Sequence, residues 1–139
     1  MYSWIGGKSR IAEKLIVPHI PWDIETYYES FGGAFWVWLK MKPSQYPKLR
    51  HVIYNDYNPL NANLWACIKN YETFYDYIKN IPAQEEDRFY EYHKSIFSEE
   101  NKFENYQFDQ NRPNFELGLR FIYVITQVFS GLNPEKANL

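Results

Sequence analysis

The spacing of apolar residues changes near residue 70, and that change limits the chain to a mixed architecture. Before it, helical and strand-like segments alternate. Ser9 to Val17 has Ile11, Leu15 and Ile16 at helical spacing, and Pro18 is positioned to stop it. Thr26 to Phe31 is aromatic and β-branched, a strand pattern, and runs into Gly32-Gly33. Ala34 to Met41 then places Phe35, Trp38 and Leu39 on one side of a helix. His51 to Tyr54 is a second strand, ended by Asn55-Asp56. Asn58 followed by Pro59 is a helix start, since Asn caps and Pro fits the first helical position; Leu60, Leu64 and Ile68 follow at i, i+4 and i+8. This part reads β-α-β-α.

From residue 71 the period is helical throughout. Phe74, Tyr77, Ile78 and Ile81 form one stripe, and Phe89, Tyr92 and Ile96 form another. Glu85-Glu86-Asp87 opens the second, where carboxylates favour the helix dipole. Phe115 to Phe129 is apolar on nearly every side, so that helix should be buried on more than one face. Ser98 to Asn114 is polar and reads as a loop. The expected domains are therefore an α/β portion, residues 1–70, and a helical portion, residues 71–139.

With 139 residues, 45% hydrophobic and 23% charged, the chain is a folding one and not a disordered one. The net charge of −2 gives no reason to expect an electrostatically driven nucleic-acid or membrane binder. Its distribution is uneven. Residues 1–70 carry eight Lys and Arg against five Asp and Glu, whereas residues 71–139 carry seven against twelve. A single Cys67 excludes an internal disulfide and an all-cysteine metal site, and His19, His51 and His93 lack ligand-like spacing. No apolar run approaches the ~20 residues of a membrane helix, and the amino terminus lacks a signal-peptide pattern. A cytoplasmic protein is expected.

Two glycine constellations carry the chemistry. Phe31-Gly32-Gly33-Ala34 follows a strand and opens a helix, where backbone can approach a ligand and helix N–H groups stand free. Asp56 ends the next strand, at the distance where a nucleotide-binding βαβ unit places its ribose-binding acid. Each also has a plain reading, Gly32-Gly33 as a turn and Asp56 as a helix cap. At the amino terminus, Trp4-Ile5-Gly6-Gly7-Lys8-Ser9 copies the end of a phosphate-binding loop, but the required earlier Gly and leading strand are missing. What remains is an aromatic plate and a cation beside flexible backbone, suited to stacking on a ring and neutralising a carboxylate, or to a capped turn.

Taken together, Trp4-x-Gly-Gly-Lys8, Glu29-Ser-Phe31-Gly-Gly33 and Asn55-Asp56-x-Asn58 resemble, in order and spacing, the Dam-type DNA adenine-N6 methyltransferases. The similarity is closest over residues 2–70 and continues more weakly through Phe121 to Phe129 and Gly131-Leu132. It implies a partial Rossmann-like S-adenosylmethionine-dependent methyltransferase fold with an α-helical insert. Trp4, Gly6, Gly7 and Lys8 would contact S-adenosylmethionine, Phe31, Gly32 and Gly33 would cradle it, and Asp56 would hold its ribose hydroxyls. Residues 71–139 would begin the target-recognition domain.

The sequence departs from that family in two places. The catalytic Asp or Asn followed by Pro-Pro and an aromatic is missing, since these residues contain no Pro-Pro; Asn58-Pro59-Leu60 lacks the second Pro and the aromatic. Without that motif the target amine has no orienting partners, so no catalytic residue is assigned and the chain alone should not methylate DNA. Asn133-Pro134 stands where the family commonly has Arg, and the acidic second half makes contact with DNA backbone weak. Two strands also leave a sheet edge and an apolar face uncovered. The expected function is the cofactor-binding part of a site-specific DNA adenine-N6 methyltransferase. It would act with a second chain that supplies the remaining sheet and the catalytic motif, and DNA would be met through that complex. The alternative is a non-catalytic interaction module that retains the methyltransferase amino-terminal fold and binds protein through its aromatic, acidic helices.

Overall fold

A computed structural model of the chain describes residues 7–102 and 105–127. Their contacts form two compact units that part between Asp56 and Tyr57.

The unit ending at Asp56 is an α/β element. Strand β1, Thr26–Glu29, lies parallel to β2, His51–Tyr54, with Thr26 opposite His51 and Glu29 opposite Tyr54. Parallel neighbours need a crossover, and it contains helix α1, Trp36–Lys40. β2 has the span expected from sequence. β1 ends two residues before the expected Phe31, because the chain after Glu29 turns and is held by the end of β2. Helix α1 is also shorter than Ala34 to Met41: Phe35 takes a left-handed φ of 59° and caps the helix instead of joining it. The buried face consequently carries Val37, while Leu39 is exposed.

The first helical segment differs further. In place of one helix over Ser9 to Val17 there is a wide π turn, Ala12–Ile16, followed by a 3-10 turn, Val17–His19. Pro18 explains this: its ring collides with the carbonyl four residues back, and the turn widens so that the Val17 N–H reaches the Ala12 carbonyl. Ala12 is the residue buried. Leu15, expected to face inward, is 64% exposed.

The second unit is helical. Helix α2, Pro59–Lys69, begins as its sequence predicts, with the Asn58 side chain accepting the Leu60 N–H at 2.9 Å and Pro59 in the first turn. Helices α3, Tyr71–Ile78, α4, Glu86–Ile96, and α5, Phe115–Gln127, follow. Phe89, Tyr92 and Ile96 are buried, as expected for the α4 stripe. In α3 only Phe74 is buried; Tyr77 lies at the surface and donates to Glu116 of α5. Helix α5 packs against α2, α3 and α4. Its buried residues include Leu117, Leu119, Phe121, Tyr123, Val124 and Ile125, more than one face can supply. Phe129 and the Gly131-Leu132 turn lie outside the described residues.

The α2 and α5 backbones approach closely at Gly118, where an added Cβ would stand 2.7 Å from Cys67 Sγ. Beside it, buried Asn63 fastens the loop that leads into α5. Its Oδ1 accepts the Asn114 N–H at 2.8 Å and its Nδ2 donates to the Asn114 carbonyl at 2.8 Å. The stretch read as a plain loop thus has one anchored end, and it contains a short 3-10 turn, Glu99–Asn101.

Candidate functional site

The carboxyl ends of β1 and β2 bring together most of the residues singled out from sequence. After Glu29 the chain turns through Ser30, Phe31, Gly32 and Gly33. The residues that end β2 grip that turn. Asn55 Nδ2 donates to the Ser30 carbonyl at 2.9 Å, and the Asn55 carbonyl accepts the Gly32 N–H at 2.9 Å. Asp56 Oδ2 accepts the Gly33 N–H at 2.7 Å, and the Tyr54 hydroxyl donates to the Gly33 carbonyl at 2.7 Å.

Both glycines are required by this geometry. Gly33 has φ of 51°, the left-handed region where a side chain is strained. A Cβ on Gly32 would stand 2.1 Å from Cε2 of the Tyr54 ring. The same ring meets Phe35 edge-on, with centroids 4.9 Å apart. Phe35 is therefore held in its unusual conformation by packing on the strand end.

Lys8 reaches the turn from the amino-terminal side, its Nζ 3.3 Å from the Phe31 carbonyl. The Phe31 ring is 80% exposed. Gly7 is exposed and enters none of the hydrogen bonds of this turn described above. Trp4 and Gly6 lie outside the described residues. The structure thus gathers Lys8, Phe31, Gly32, Gly33 and Asp56 at one edge. Three of the N–H groups between the turn and the first turn of α1 already have acceptors within the protein. The Gly33 N–H is taken by Asp56, the Phe35 N–H by the Gly32 carbonyl at 2.7 Å, and the Trp38 N–H points to Glu29 at 3.4 Å.

Glu29 was part of the quoted motif but had no role from sequence. It is 7% exposed; its Oε2 accepts from the Tyr27 hydroxyl at 2.7 Å, while its Oε1 is buried without a hydrogen-bond partner among the described residues. Burial raises its pKa above the ordinary carboxylate value, and Tyr27, the Trp38 N–H and the Lys8 charge offset this only in part. Burial and the neighbouring carboxylate likewise push the Tyr27 phenol upward. A single acid ending an aromatic strand was the available signal. Tyr54 was also missed; it stands two residues before Asp56, and both side chains bond to Gly33.

A cleft of about 580 Å³ lies beside the segments leading into the strands, lined in part by Trp22, Lys40, Lys42 and Tyr46; it contains none of the residues gathered at the glycine turn. Among the described residues no group of three or more His, Cys, Asp or Glu side chains could hold a metal ion, and no helix is long and apolar enough to cross a membrane.

Searches of curated proteins and of solved structures returned no match. The sequence profile of the D12 class N6 adenine-specific DNA methyltransferases does match, over residues 4–138, and takes in the glycine turn, the Asp56 strand end and the helices that follow. A match spanning nearly the whole chain places it in the D12 class N6 adenine-specific DNA methyltransferase family.

Proposed function

We propose that this chain is the S-adenosylmethionine-binding part of a DNA adenine-N6 methyltransferase, built on a partial Rossmann-like sheet. The observation that carries the proposal is the turn at Gly32-Gly33, set between β1 and β2 and bonded to Asp56 at 2.7 Å. The residues fit the cofactor chemically. Asp56 supplies a carboxylate for ribose hydroxyls, the glycines leave room for close approach, and Glu29 Oε1 is a buried acceptor that lacks a donor among the described residues. The α-ammonium of S-adenosylmethionine is a donor of the matching charge. When bound, the cofactor supplies an electrophilic methyl group on sulfonium sulfur.

What the chain itself does is hold and orient. Lys8 and the Phe31 to Gly33 backbone form one wall, Asp56 another, and Trp4, Gly6 and Gly7 would join them from the amino terminus. The groups that orient an adenine amine come from protein outside these 139 residues, which contain no Pro-Pro. The same added protein extends the sheet, and DNA is met by the completed assembly in the cytoplasm.

Photo-crosslinking tests the reading. Labelled S-adenosylmethionine should attach to the chain, or to the complex in which it purifies, and S-adenosylhomocysteine should compete while ATP should not. Equal competition by ATP would point to a general nucleotide site instead.

A further inference from the structure

Gly33 is held on both sides by one strand end. Its N–H belongs to the peptide plane before the residue and is bonded to Asp56; its carbonyl belongs to the plane after it and is bonded to the Tyr54 hydroxyl, each at 2.7 Å. Peptide planes are rigid, so fixing both leaves neither of the two soft dihedrals of Gly33 free. Glycine has the most conformational freedom to lose, and no side chain of its own restricts it here. The Tyr54 ring adds two further constraints. It fills the space where a Gly32 side chain would be, and it meets Phe35 edge-on.

We infer that Tyr54 is a positioning residue for the cofactor turn, acting through Gly33 in concert with Asp56. The inference rests on the cofactor-binding reading above and extends it. A turn already locked in its bound shape loses little entropy when a ligand arrives, so the lock is expressed as affinity. Asp56 then has two duties, to the ligand and to the Gly33 N–H, whereas Tyr54 acts on the turn through the Gly33 carbonyl.

The experiment compares the wild type with Tyr54→Phe, Asp56→Asn and the double variant, as purified with any partner. Cofactor affinity is measured by calorimetry and amide hydrogen exchange by NMR. Tyr54→Phe keeps the ring and removes one neutral hydrogen bond, so affinity should fall about three- to tenfold. In the Asp56→Asn background the same change should cost less, because both groups constrain one residue. Exchange at Gly33 should quicken in Tyr54→Phe, while the Asn55 N–H, bonded to the Glu29 carbonyl at 3.0 Å, keeps its protection. A general loosening of β2 would change both amides alike.

Unchanged Gly33 exchange and unchanged affinity in Tyr54→Phe would overturn the inference, as would strictly multiplicative losses in the double variant. Failure of the wild type to bind S-adenosylmethionine would instead overturn the cofactor reading, and Gly33 exchange would still report whether Tyr54 locks the turn.

Discussion

Glu29 and Asp56 stand at the ends of neighbouring strands in different surroundings. Asp56 is half-exposed and accepts a backbone N–H, while Glu29 is buried with one oxygen unmatched among the described residues. Because the folded-state pKa of Glu29 lies above its ordinary value near 4.5, the folded state holds that proton more tightly than the unfolded chain does. The stabilisation is complete below the ordinary value and is lost as pH rises through the raised one. Glu29→Gln imitates the protonated acid, so its melting temperature should match the wild type near pH 4 and exceed it at pH 7. A constant difference across that range would show that Glu29 does not titrate as described. The same variant should bind S-adenosylmethionine more weakly, having lost the negative charge. Asp56 and the glycines were legible because their spacing is written along the chain. Glu29 and Tyr54 were not, since burial of the first and the grip of the second arise only when β1 and β2 pair.

Helices α2 and α5 meet where Gly118 faces Cys67, an approach with no room for a methyl group. Gly118→Ala should cost about 1 to 3 kcal/mol, the range for overpacking, as measured by urea unfolding. Asn63→Ala removes both hydrogen bonds to Asn114, whose carbonyl keeps the Gly118 N–H at 2.9 Å, so the cost should be about 1 to 2 kcal/mol. Burial pushes the Cys67 thiol up to about 12, so iodoacetamide at pH 8 should spare it in the folded protein and modify it on unfolding. Helices α2 and α4 could be read in advance because cap, stripe and apolar spacing agree. The first helix and α1 could not. Pro18 widens the turn before it, and Phe35 adopts a left-handed backbone conformation that packing against Tyr54 sustains. Both are outcomes of tertiary fit and have no local pattern.

At the scale of the molecule the uncovered sheet matters most. Val52 and Ile53 are successive residues of β2 and point to opposite faces, and they are 38% and 41% exposed. Parallel sheets are normally covered on both faces, so further protein is expected against these two. Light scattering should accordingly find the chain associated, and Val52→Asp or Ile53→Asp should disperse it. A thermally stable, monodisperse monomer at micromolar concentration would contradict that expectation. These residues alone should transfer no labelled methyl group to adenine-containing DNA, and adding protein with the Pro-Pro motif should restore transfer. The central claim is that the glycine turn and Asp56 form the cofactor site. Isothermal titration with S-adenosylmethionine tests it most directly. The account predicts saturable binding that Asp56→Ala weakens by about 1 to 3 kcal/mol, the scale of hydrogen bonds to a charged group. Equal affinity in the two proteins, both shown to be folded, would contradict it.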